Sequence, residues 1–145
     1  MAALNVQSSK GGFIRSQGGV HYIDTHRTEC CFVELEKLER DYTPATMYND
    51  YPISPTQFHW ESQSICHPRT AAGRRYLAAR PGADVQVVLF VRHRKKDPRG
   101  VTMPYLCLGR VFYGGHEGER PMGVTWELER EMPAGFWQEA KVVGG

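Results

Sequence analysis

Val85 to Val91 is an apolar run rich in β-branched residues, preceded by Pro81-Gly82 and closed by the turn RHRKKDPRG. A run of that length and composition reads as a buried strand. A buried strand commits a chain to further strands that pair with it and to apolar cover for its faces. Candidates follow along the sequence. Val20, Tyr22 and Ile23 open a strand after Gly19. In Cys30 to Leu38, Cys31, Val33 and Leu35 alternate with Phe32, Glu34 and Glu36, although Glu34 to Arg40 is also made of good helix formers. Phe58, Trp60 and Ser62 alternate with His59, Glu61 and Gln63, and Pro104 to Tyr113 and Met122 to Leu128 supply two more strands. Helices are sparse: Thr70 to Ala79, with Thr70 as N-cap and Pro81-Gly82 as its stop, and Pro133 to Ala140. Asp41 to Thr56 holds Pro44, Pro52 and Pro55 and reads as a connecting segment. The pattern predicts an α+β chain, predominantly β, built as a strongly curved mixed sheet or open β-barrel with short flanking helices.

The 145 residues fit one domain, large enough to bury roughly 70% of its unfolded surface. Residues 1–18, rich in Ser and Gly, are expected to form a flexible arm, and residues 19–145 the single folded unit. The start lacks a charged segment followed by an apolar one, and no apolar run approaches a membrane span. The expected location is the cytoplasm, and no membrane partner is expected. Cys30, Cys31, Cys66 and Cys107 form no CxxC pair and read as reduced, structural thiols.

The net charge of +2 hides an asymmetry. From His67 to Arg99, nine basic residues stand against two acids, a local +7, while the remainder carries −5. Such a split suits a protein with one face toward a polyanion. Catalytic constellations are scarce. The segment Ser9-Lys10-Gly11-Gly12 has neither the spacing nor the preceding strand of a phosphate-cradling loop. Asp24, Glu34, Glu36 and Lys37 approach the acid, acid and lysine pattern of a metal-dependent nuclease but miss its register by one residue, which on a strand points side chains to opposite faces. Cys66-His67 and the group His21, His26, Cys30 and Cys31 lack the spacings of closed zinc sites. No cofactor, metal or catalytic residue is assigned.

Aromatic density is high between Tyr48 and Tyr76, beside Arg69, Arg74 and Arg75. Aromatic faces next to arginines can stack a base and neutralise its phosphates. Phe58, Trp60 and Tyr76 also read individually as core residues.

Four segments, TPATMYNDYPISPTQFHWESQS (Thr43 to Ser64), LFVRHRKKD (Leu89 to Asp97), PYLCLG (Pro104 to Gly109) and HEGERPMGVTWEL (His116 to Leu128), carry a family resemblance. They resemble the C-terminal domain, formerly of unknown function, of large bacterial superfamily-2 helicase-like proteins, which include modification-dependent restriction enzymes of the SauUSI type. The resemblance runs from about Gly19 to Ala134. It implies a DNA-recognition module that reads 5-methylcytosine, with translocation and cleavage left to a separately encoded helicase or nuclease. Arg74 replaces an expected glutamine, and Arg110-Val111-Phe112 replaces a milder linker.

On that reading the partner is methylated double-stranded DNA, the location nucleoid-associated, and residues 19–145 a DNA-binding domain. Tyr48, Phe58 and Trp60 are expected to form the methyl pocket, with His59, Ser62 and Gln63 on a base edge. Arg69, Arg74, Arg75, Arg92, Arg94, Lys95 and Lys96 are expected on phosphates, with His116 and Arg120 reaching a groove. His116-Glu117-Gly118 reads equally as a tight structural turn. The alternatives are a small nuclease built on Asp24, Glu34 and Glu36, and a protein-interaction module of a restriction system.

Overall fold

The computed structural model describes residues 19–36 and 50–143. The expected arm at 1–18 and Tyr48 lie outside the described residues. The chain forms β1 (Val20–Ile23), β2 (Thr28–Glu34), β3 (Tyr51–Ser54), β4 (Gln57–Glu61), α1 (Ala71–Leu77), β5 (Gln86–Arg92), β6 (Leu106–Glu117), β7 (Gly123–Leu128) and α2 (Ala134–Val143). The strands make one mixed sheet of seven, ordered β1-β2-β5-β6-β7-β4-β3. Only β2 and β5 pair in parallel; the other five pairings are antiparallel. The sheet is not closed, because the order begins at β1 and ends at β3. The predominantly β, mixed-sheet expectation stands, and the sheet is open.

The sheet order explains the apolar run. β5 lies between β2 and β6, so both of its edges are paired, and apolar clusters cover both of its faces. Val87, Leu89 and Val91 enter the main core, while Val88 and Phe90 join Cys30, Phe32, Tyr105 and Cys107 in a smaller cluster. The main core also gathers Cys31 and Val33 from β2, Phe58 and Trp60 from β4, Val124 and Trp126 from β7, and Tyr76 and Ala140 from the helices. Cys30 to Leu35 is strand rather than helix through Glu34, because Phe32 and Val33 pair with Phe90 and Val91. β3 falls inside the segment expected to be connecting. Pro52 and Pro55 obscured it, and proline is tolerated there because β3 is an edge strand.

β6 is the longest element and is bulged twice, near Gly109 and between Tyr113 and His116. Gly109 and Gly115 have φ of +90° and +130°, conformations that a side chain would strain. These two bulges let one 12-residue strand serve both neighbours. Its start and its end therefore define the two ends of the sheet, and the cationic residues divide between them.

Candidate nucleic-acid interface

At the end where β4, β6 and β7 meet, residues just beyond the strands tie two loops together. Ser62 N–H donates to the Met122 carbonyl at 2.9 Å, and Met122 N–H donates back to Ser62 Oγ at 2.9 Å. Arg120 N–H donates to the Cys66 carbonyl at 2.8 Å. The buried Cys66 sulfur lies 3.4 Å from Thr70 Oγ1 and 3.8 Å from Met122 Sδ. Thr70 caps α1 as its sequence predicts: its hydroxyl accepts from Gly73 N–H at 3.0 Å and donates to the His67 carbonyl at 2.8 Å. Residues 62–70, 118–122 and α1 thus form one braced frame. Exposed on it are Ile65, Arg69, Arg74 and Arg120.

Behind the frame the core is aromatic and polar at once. Trp60, Tyr76 and Trp126 pack with ring centroids 5.0 to 6.0 Å apart. The Tyr76 hydroxyl donates to Gln63 Oε1 at 3.0 Å, which holds Gln63 against the core. Arg75 Nε donates to Glu29 Oε2 at 2.8 Å, and its guanidinium lies 3.9 Å over the Tyr22 ring. Burial pushes the Glu29 carboxyl above its ordinary value, while Arg75 and the Tyr76 hydroxyl oppose that shift. Burial, with the Glu29 charge adding to it, also raises the Cys31 thiol, and the Cys30 thiol is pushed up to about 11 by the same causes. Both cysteines stay protonated and inert as nucleophiles at neutral pH.

The second basic group lies at the opposite end of the sheet, on the hairpin between β5 and β6. Its tip is built by Asp97, whose Oδ1 accepts from Arg99 N–H at 2.8 Å and Val101 N–H at 3.0 Å. Those donors, Val101 first, hold the Asp97 carboxyl below its usual value. Lys95 and Lys96 are exposed on this hairpin. Arg92 at its base is not available: it donates to the Met103 carbonyl at 2.9 Å, pairs with Glu34 and lies 4.2 Å over the Tyr105 ring. Beside the hairpin, a groove of about 580 Å³ runs against α2, lined in part by His93, Arg94, Met103 and Glu139. His93 Nε2 lies 3.0 Å from Glu139 there.

Several expected site residues therefore have other work. Phe58 and Trp60 are 0% and 3% exposed and face the core, so they cannot wall a surface pocket in this structure. Their alternation was read correctly but assigned to the wrong side of the sheet. Ser62 is fully buried and its hydroxyl is engaged by Met122 and the Gln63 carbonyl. His59 sits on the opposite face of β4 from Phe58 and Trp60, stacked on Tyr51 at 4.6 Å. Arg75 and Arg92 neutralise buried acids rather than face solvent. Arg69 and Arg94 are exposed or half-exposed but meet Glu119 and Glu36 at 3.7 and 3.3 Å. Arg74, Lys95, Lys96 and Arg120 have no ion-pair partner among the described residues. His116 is half-buried, with Nδ1 2.6 Å from the Tyr113 hydroxyl. The structure thus places Gln63, Arg69, Arg74 and Arg120 on the segments of the frame, His116 on β6 just before it, and Lys95 and Lys96 apart. Sequence reasoning missed Glu29, the anchor of Arg75, because an acid in an apolar strand gives no sign of its partner.

The carboxylates of the nuclease alternative do not converge. Asp24 precedes β2 and Glu34 ends it, paired with Arg92, while Glu36 meets Arg94. Among the described residues no group of three His, Cys, Asp or Glu side chains is placed to hold a metal ion. None of their helices is long and apolar enough to cross a membrane.

Residues 2–140 match the family described as Domain of unknown function (DUF3427). The chain belongs to this family. No curated protein matches it. In this DUF3427 chain the match spans both basic groups, the braced frame and every strand of the sheet.

Proposed function

We propose that this chain binds double-stranded DNA and prefers duplexes that carry 5-methylcytosine. The observation that carries the reading is the meeting of two sequence strings. Phe58-His59-Trp60 with Ser62-Gln63, and His116-Glu117-Gly118 with Arg120-Pro121-Met122, are those that most specifically resemble the recognition domain of modification-dependent restriction proteins. They are distant in sequence, yet Ser62 and Met122 bond reciprocally and leave Arg69, Arg74 and Arg120 exposed beside the join. A braced polar frame edged with arginines suits a phosphate backbone, which fixes register without reading sequence.

Discrimination of the methyl group rests on apolar contact. One buried methyl is worth about 0.8 kcal/mol and a tight pocket about 1–3 kcal/mol, so preferences of roughly 10-fold to 200-fold are the physical range. Gln63 and His116 supply polar groups at this end for a base edge. Cleavage is left to a separately encoded nuclease or helicase.

The test is an anisotropy titration on matched duplexes, unmethylated and 5-methylcytosine-containing, at two salt concentrations without metal. A tenfold or greater methyl preference with a steep salt slope is expected. Equal, salt-sensitive binding to both would reduce the protein to a general DNA binder, and no binding would overturn the reading in favour of a protein partner.

A further inference from the structure

Ile65 is 80% exposed, the highest value among the exposed large apolar residues Ile53, Ile65, Val101 and Leu106. Single exposed apolar side chains are ordinary on protein surfaces. This one differs in what holds it. Cys66 N–H donates to the Gln63 carbonyl at 2.9 Å and closes a turn whose tip carries Ile65. On one side of the tip, Ser62 is buried and bonded both ways to Met122, and the Gln63 side chain accepts from Tyr76. On the other, Cys66 is 2% exposed and its carbonyl receives Arg120 N–H. A β-branched side chain with little rotamer freedom is thus presented outward from a fixed backbone. Little ordering entropy remains to be lost when it binds.

The tip's surroundings suit a charged partner rather than an apolar one. Arg120 is tied to Cys66 beside it, Arg69 follows three residues further on, and Arg74 lies on α1. Glu119 tempers this charge through its contact with Arg69. A protruding aliphatic side chain beside cations is an arrangement by which proteins part a base step, at a cost of a few kcal/mol in stacking, to gain contact area.

We propose that Ile65 is a wedge that enters the base stack of a bound duplex, with Arg69 and Arg120 on the neighbouring phosphates. The inference rests on the DNA-binding reading above and adds to it a residue and a mode of engagement. It places the unstacked step next to the frame.

The test uses the full chain and a short duplex with 2-aminopurine beside a central 5-methylcytosine, and the same duplex unmethylated. Saturating wild-type protein is expected to raise 2-aminopurine fluorescence several-fold at one position as that base unstacks. Ile65→Ala removes most of the wedge and is expected to abolish the rise and weaken binding roughly tenfold, with the salt slope unchanged because no phosphate contact is lost. Ile65→Leu should retain both. Thermal melting should leave all three proteins indistinguishable, since the side chain is mostly in water. Ile65→Ala binding as tightly as wild type, with the fluorescence rise intact, would overturn the wedge while leaving DNA binding standing. Absence of salt-sensitive binding by wild type to either duplex would overturn the DNA reading, and the wedge with it.

Discussion

Arg75→Ala tests whether an arginine of the basic segment serves the fold rather than the surface. The Glu29 side chain is 2% exposed and that of Arg75 23%, with 2.8 Å between Nε and Oε2. Truncating the arginine leaves a carboxylate buried in the core without its cation, and also removes the contact over the Tyr22 ring. Breaking such a pair costs about 3–5 kcal/mol. Because Arg75 is partly reached by solvent, water can enter the vacated space, and the lower end, about 3 kcal/mol, applies. For a domain of this size that is a fall in Tm of roughly 6–12 °C. The loss carries a pH signature. Burial already raises the Glu29 carboxyl while Arg75 pulls it down, so without Arg75 it rises further. A carboxyl with a raised value in the folded state keeps its proton more readily folded than unfolded. Stability therefore grows as pH falls through the window between the folded and unfolded values, by up to about 1.4 kcal/mol per pH unit. The deficit relative to wild type should accordingly be smaller near about pH 5 than near about pH 7.5. Urea melts followed by fluorescence of the buried Trp60 and Trp126 measure it. A deficit under about 1 kcal/mol at the higher pH, or one equal at both, would refute the reasoning.

Phe58→Ala should cost about 3–5 kcal/mol and show in thermal melts, so any DNA binding it loses follows from unfolding rather than from a missing pocket wall. Arg74→Ala, and Lys95→Ala with Lys96→Ala, should leave stability within about 0.5 kcal/mol of wild type while each removed cation lowers the logarithmic salt slope of DNA binding by about one. Gly73→Ala should destabilise the protein by more than about 1 kcal/mol in urea melts despite alanine's better helix propensity, because the added Cβ would lie 2.0 Å from the His67 carbonyl oxygen.

Strand content was legible where period and composition agreed. Phe58 and Trp60 occupy a strand that their alternation marked, Trp126 lies in a strand that the sequence predicted, and Thr70 caps the helix that follows it. β3 was hidden because Pro52 and Pro55 speak for a turn, whereas an edge strand needs few of its N–H groups. The site was harder to read. Alternation says that two sets of side chains point apart, but not which set meets the core. His59 and Trp60 were therefore grouped as one surface although they face opposite sides of β4. Ile65, a lone aliphatic residue beside buried Cys66 in an otherwise polar string, was a visible signal, but only the exposure of a fixed turn gives it meaning.

Charge counting failed for a related reason. Arg74 and Arg75 are adjacent, but successive residues on a helix do not share a direction. One reaches solvent and the other Glu29. Arg92 and Lys95 differ likewise: the parallel register sets Arg92 directly opposite Glu34, while Lys95 lies on the hairpin beyond the sheet. The +7 segment thus serves two ends. Arg75 and Arg92 neutralise acids that the sheet would otherwise bury alone, while Arg74, Lys95 and Lys96 face solvent. Because these remaining cations sit at opposite ends of β6, their contributions to phosphate binding should combine independently, as expected for sites without shared partners.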